Sequence, residues 1–159
     1  MSESVSNKKV AVFPGSYDPF TRGHESIVKR GLEVFDKIIV AIGVNSGKDY
    51  MFPLEKRIAW IEEVFQNDNR VEVKSFTGLT VDFCNDEGAK YILRGLRNTR
   101  DFEFESEIGT LNRSLNGHIE TVFLISLPQF AAINSTIVRE IIRNNGNFTP
   151  FVPDQIQIT

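Results

Sequence analysis

One histidine lies in a setting suited to phosphate chemistry. The stretch Pro14-Gly15-Ser16-Tyr17-Asp18-Pro19-Phe20-Thr21-Arg22-Gly23-His24 follows an apolar run and ends where a helical pattern begins. Free N–H groups and the dipole at a helix start favour anions, and an imidazole placed there donates to a phosphate oxygen. Gly15 and Gly23 would let the backbone come close to a ligand. A lone histidine at a helix start also reads as a cap, and the flanking glycines are what favour the phosphate reading.

Three further groups have matching chemistry. Asn45-Ser46-Gly47-Lys48-Asp49 is a loop whose single lysine reaches into a site or stays in solvent, and taken alone solvent is the better reading. Arg94-Gly95-Leu96-Arg97 places two guanidinium forks around a glycine after an apolar run, and such forks match phosphate oxygens in bidentate fashion. Asn134-Ser135-Thr136 opens the last helical segment; these are ordinary N-cap types, and their hydroxyls and N–H groups also suit phosphates. Asp101 and Glu105, one helical turn apart, fit a solvated face as well as a site. His24 and His118 are far apart, Cys84 has no partner motif, and His118 after Gly117 reads as a turn residue. No Ser/His/Asp set, G-x-S-x-G elbow, Walker A loop or G-x-G-x-x-G fingerprint occurs.

These groups need a frame that gathers them. Val10–Phe13, Ile38–Ile42, Val71–Phe76, Tyr91–Leu93 and Val122–Ile125 read as five strands. The second is apolar on both faces, as an interior parallel strand should be, whereas Val71–Phe76 alternates and suits a less covered position. Helical stepping joins Ile27, Val28, Gly31, Leu32 and Phe35, and then Leu54, Ile58, Ile61 and Phe65 after Pro53. It recurs in Phe104, Ile108, Leu111 and Leu115, and in Ile137, Val138, Ile141 and Ile142, with Gly146 as a stop. The alternation predicts an α/β fold: a Rossmann-like, doubly wound sheet of five parallel strands with flanking helices. Ligands in such sheets bind beyond the carboxyl ends of the strands, which is where each candidate group falls.

Composition sets the bounds. A chain of 159 residues with no linker or repeat suits one domain, here residues 9–159, after a polar, flexible tail over residues 1–8. The formal net charge of −3 argues against a nucleic-acid partner. No apolar run approaches the roughly 20 residues that span a bilayer, so no membrane partner is expected. The single cysteine forms no intrachain disulfide and suits a reducing, cytoplasmic setting. Thirteen phenylalanines are enough to fill a core and leave some for a subunit interface.

Taken together, these segments resemble the nucleotidylyltransferase superfamily whose first motif reads T/H-x-G-H, here Thr21-Arg22-Gly23-His24. With Pro14 to Pro19, Met51-Phe52 with Glu55 and Arg57, Arg94 to Arg97, Asp101-Phe102-Glu103 and Asn134 to Glu140, the chain is similar to the bacterial phosphopantetheine adenylyltransferases from about Val10 to Pro153. The resemblance implies transfer of the adenylyl group of ATP to 4′-phosphopantetheine, giving dephospho-coenzyme A and pyrophosphate. It also implies magnesium carried on the ATP phosphates, a cytoplasmic homohexamer and feedback inhibition by coenzyme A.

Carried over by position, Ser16 would touch both substrates, and Tyr17 would sit by ATP through its backbone. His24 would bind the ATP phosphates and stabilise the transition state, and Lys48 and Arg94 would hold the acceptor phosphate. Thr80 would line the pantetheine arm; Gly95, Leu96, Arg97 and Glu105 would contact the nucleotide. Phe130, Ala131, Ala132, Ile133, Asn134, Ser135 and Thr136 would wrap the adenine and phosphates. The chain departs from the family pattern at Asn134, where serine is usual, at Phe104, where tyrosine is frequent, and over Pro128–Ala132, which lacks a tryptophan seen in some members. The motif around His24 is shared with transferases that use other acceptors, such as nicotinamide mononucleotide or cytidylyltransferase substrates. A non-catalytic nucleotide-binding module would need neither His24 nor the Lys48/Arg94 pair.

Overall fold

The computed structural model describes residues 7–159. Most of the expected tail lies outside the described residues, and Asn7 and Lys8 are exposed and outside regular structure. Five strands, β1 (Val10–Gly15), β2 (Lys37–Gly43), β3 (Val71–Phe76), β4 (Tyr91–Leu96) and β5 (Glu120–Ile125), form one parallel sheet in the order β3-β2-β1-β4-β5. The chain runs outward from β1 to β3, then crosses back to β4 on the other side of β1. The strand order therefore reverses between β1 and β4, and a crevice opens there at the carboxyl edge.

Burial follows this order. Val12 and Ile39 to Ile42 in the interior strands are sealed, while the edge strands β3 and β5 are only partly covered. The main core packs α1 (Arg22–Gly31) and α2 (Leu54–Val64) on one face, with Trp60, Phe65 and Val138 among its members. A smaller core on the other face gathers Val12, Ile39, Val81, Cys84 and Ile92. Burial pushes the Cys84 thiol up to about 12, so it packs as a neutral group.

Four local features depart from the sequence reading. β4 runs on to Leu96, so Arg94, Gly95 and Leu96 are strand residues with alternating directions, not a loop. A short helix, α3 (Thr80–Asp86), was not legible, because seven residues with two buried positions carry too little periodicity. The helix α5 (Ser135–Arg143) does stop near Gly146, but the residue that turns left-handed is Asn145, with φ 56°. The Asn145 N–H donates to the Ile142 carbonyl and the Gly146 N–H to that of Ile141, a Schellman ending. Finally, α4 (Thr99–Leu115) turns its Phe104, Leu111 and Leu115 stripe outward, at 62%, 63% and 60% exposed, and buries Glu105 instead.

Candidate active site

The chain after β1 doubles back on itself. Tyr17 takes φ 50°, the left-handed region, which is unusual for so bulky a side chain. It is held there because its ring is buried and its O–H donates to the Phe13 carbonyl at 2.6 Å. Burial pushes the phenol pKa up, so it keeps that proton. The ring fills the space over Gly15, where a Cβ would stand 2.9 Å from it. Gly15 therefore makes room for the Tyr17 ring, and it also lines the cavities described next. A Cβ at Gly23 would meet nothing closer than Thr21 Oγ1 at 3.4 Å.

Thr21 to His24 is a capping box with histidine in the place where glutamate or glutamine is usual. Thr21 Oγ1 accepts from the His24 N–H at 3.3 Å, and the Thr21 N–H donates to His24 Nδ1 at 3.0 Å. The cap is made by Nδ1 alone, so it is compatible with an anion at the other ring nitrogen. Because Nδ1 accepts, the neutral ring carries its proton on Nε2. Phe13, Tyr17 and Phe20 surround the ring at centroid distances of 6.1, 4.9 and 5.3 Å. Burial, then the positive charges of Arg94 and Arg97, lower its pKa from 6.5 to about 3. His24 is therefore a neutral donor.

A cavity of about 340 Å³ lies between the starts of α1 and α5 and the end of β4. It is lined by Ser16, Tyr17, His24, Lys48, Arg94, Gly95, Arg97 and Glu105, and by Phe130, Ile133, Asn134, Ser135 and Thr136. Leu96, Ala131 and Ala132, expected in the nucleotide site, do not line it. Thr80 lines a second cavity of about 280 Å³, between β1, β4 and α4, with Phe76, Ile92 and Ile108 among its apolar walls. Ser16 and Arg94 belong to both cavities, so the two spaces meet at these residues. Lys48 Nζ donates to Ser16 Oγ at 3.2 Å at the same junction.

The α4 carboxylates hold the arginines. Arg94 Nε and Nη2 donate to the two oxygens of Glu105 at 2.8 and 2.5 Å, and Nη1 donates to the Pro14 carbonyl at 2.6 Å. One turn earlier, Asp101 accepts from the Arg97 N–H at 2.9 Å and from Arg97 Nε at 3.0 Å. Burial opposes the Arg94 charge, but the hydrogen bonds and charge of Glu105 more than offset this and its pKa is raised. Each fork is fixed by its carboxylate and still has N–H groups for an anion.

At the α5 start, Asn134 Oδ1 accepts from the Ile137 N–H at 2.9 Å, an ordinary N-cap. Ser135 Oγ donates to the Pro19 carbonyl at 2.7 Å, which ties α5 to the loop after β1. Arg139 was not singled out as a site residue by sequence, yet it lines the cavity and donates to the Asp18 carbonyl and Thr136 Oγ1. Its only local signal, a basic residue one turn past a cap, is that of any solvated helix face. With Lys48, Arg94 and Arg97 it makes four cations against the carboxylates of Asp101 and Glu105. The site is built for a polyanion. Among the described residues, no three His, Cys, Asp or Glu side chains gather as metal ligands.

A parallel sheet with a cationic cavity at its switch point, beside a neutral histidine and adjoining a second cavity, suits the phosphates of a nucleotide. The cytidylyltransferase-like family model matches residues 12–141. A relative named phosphopantetheine adenylyltransferase in Christiangramia forsetii is 49% identical over 94% of this chain and 98% of its own length. One with that name in Flavobacterium psychrophilum is 50% identical over 93% and 97%. The chain superposes on a bifunctional NMN adenylyltransferase/ADP ribose pyrophosphatase from Francisella tularensis with a TM-score of 0.69 over 94% of its length, at 17% identity, and spans 45% of that protein. This last likeness concerns the fold. The chain belongs to the cytidylyltransferase-like family and, within it, to the phosphopantetheine adenylyltransferases.

Proposed function

We propose that the chain, through one domain over residues 9–159, joins the adenylyl group of ATP to the phosphate of 4′-phosphopantetheine by direct in-line displacement. The observation that carries this is the junction of the two cavities at Ser16, Lys48 and Arg94, within the wall that also holds His24. The larger cavity, under two helix starts, takes ATP; the smaller, more apolar one, with Thr80, takes the pantetheine arm. An oxygen of the acceptor phosphate attacks the α-phosphorus, the new P–O bond forms, and the bond to the β-phosphate oxygen breaks as pyrophosphate leaves. The nucleophile is already anionic, so positioning and charge stabilisation supply the catalysis. Lys48 and Arg94 align it against the repulsion between two anions, and His24 Nε2–H donates to oxygens on which charge builds. Arg97 and Arg139 steady the triphosphate. Glu105, with both oxygens on Arg94, holds that fork for the acceptor phosphate.

Asp101 and Glu105 are both engaged by arginine, so the cavity offers no free carboxylate cage for magnesium. The ion fits as one carried on the ATP phosphates, where it would neutralise the charge of the departing pyrophosphate. Purified protein with ATP, magnesium and 4′-phosphopantetheine is expected to form pyrophosphate and dephospho-coenzyme A in equal amounts, and coenzyme A is expected to slow both. Product from nicotinamide mononucleotide but none from 4′-phosphopantetheine would overturn the acceptor.

We further propose a cytoplasmic homohexamer whose contacts use the outward stripe of α4. No helix among the described residues is long and apolar enough to cross a membrane, and Phe104, Leu111 and Leu115 stand exposed along one helix, as at a contact surface. Leu111→Glu is expected to shift sedimentation of the native assembly to smaller species. A wild-type protein that sediments as a monomer would refute the assembly.

A further inference from the structure

Two buried charges stand behind the acceptor end of the site without lining the main cavity. Asp18 is 4% exposed and Arg57 2% exposed, and among the described residues neither forms an ion pair. Burying a charge without a counter-charge is costly unless hydrogen bonds compensate it fully. Here they do. The Asp18 carboxylate accepts the N–H groups of Met51 and Phe52 at 2.8 and 2.9 Å. Arg57 donates to the carbonyls of Phe52 at 3.0 Å and Ser16 at 2.7 Å, and its guanidinium lies 4.2 Å from the centre of the Tyr50 ring. The Tyr50 hydroxyl accepts the Asn45 N–H at 3.2 Å, which closes the loop that carries Lys48. The two charges together strap residues 45–52 onto the turn that presents Ser16.

We propose that Arg57 is a positioning residue for the acceptor phosphate: it sets the Ser16 backbone and the Lys48 loop relative to each other. The proposal rests on the adenylyl-transfer reading above. Among the described residues, the side-chain hydrogen bonds of Arg57 run only to the Phe52 and Ser16 carbonyls, so it acts first on the turn that carries Ser16 and the loop that carries Lys48. Lysine in its place keeps a cation but cannot bridge two carbonyls and stack on Tyr50 at once.

The test is Arg57→Lys, with the KM of each substrate, the dissociation constant of ATP and amide hydrogen exchange over residues 45–50 all measured. The expected result is a KM for 4′-phosphopantetheine raised about tenfold or more, since small misplacements far from the chemistry cost up to about a hundredfold. ATP affinity is expected to change much less, while residues 45–50 exchange faster. In a Lys48→Ala background, Arg57→Lys is expected to add little, because both changes remove one effect. Equal losses for both substrates, or full additivity with Lys48→Ala, overturn the proposal. If Arg57→Lys does not fold, Tyr50→Leu releases the same strap from the loop side and is read in the same way. A wild-type protein that makes no product from 4′-phosphopantetheine removes the functional reading only. Unchanged exchange over residues 45–50 in a folded variant removes the strap itself.

Discussion

His24→Ala, folded as the wild type, turns over about 10²–10³ times more slowly, the cost of one lost donor to developing charge. Acceptor affinity is retained, because His24 does not hold the acceptor phosphate. The reason lies in the capping box: with Nδ1 accepting from the Thr21 N–H, Nε2 is left as a fixed donor inside the cavity. A proton on Nδ1 would cost that bond and place a cation beside Arg94 and Arg97. Ring-nitrogen NMR should therefore show the Nε2–H tautomer unchanged down to about pH 5, with no midpoint near the ordinary 6.5.

The same shift bears on stability. A histidine held neutral in the fold takes up its proton on unfolding, so below pH 6.5 the unfolded chain binds more protons than the folded one. Stability from this group is whole above 6.5 and is lost as pH falls towards about 3, at up to about 1.4 kcal/mol per pH unit. Asp68 and Glu72 are held below their ordinary values by Arg70 and Lys37, so they add their losses only at lower pH. Urea unfolding at pH 5 and pH 7 should show a smaller difference for His24→Ala than for wild type. Equal pH dependence, or full turnover in a folded His24→Ala, would dismiss the central role of this residue.

Glu105→Ala is expected to lower stability by about 3 kcal/mol and to weaken the acceptor more than ATP. The energy is at the low end of what breaking a buried pair costs, because the Arg94 head keeps some contact with solvent. The variant leaves Arg94 with the Pro14 carbonyl and no carboxylate, so its fork swings and the acceptor phosphate loses one of its two clamps. Glu105→Gln should recover part of both losses, since an amide oxygen still accepts one N–H. Urea denaturation and the two KM values decide the matter. A raised KM for ATP alone, with stability intact, would return Glu105 to the nucleotide contact that family resemblance implies.

What the sequence determined by itself is local. Thr21-x-x-His24 can cap a helix because residues three apart meet at its first turn, and that role was legible before any packing was known. The strands were legible as apolar runs, since parallel strands buried on both faces leave little alternation. Their order was not. It is set by which faces pack, and it places Arg94 against Pro14, 80 residues away, and Arg139 against Asp18, 121 away. Spacing along the chain carries no trace of such meetings. Glu105 shows the same limit: its position fitted a solvated helix face, and only the packing of α4 beside β4 placed it inward on Arg94 while Phe104, Leu111 and Leu115 face out. Gly15 was read as room for a ligand; the fold adds a second reason for it, since a Cβ there would meet the Tyr17 ring. The sequence named the candidate groups; the tertiary structure decided which of them line the cavities and which hold the others in place, because that choice depends on contacts between elements far apart in the chain.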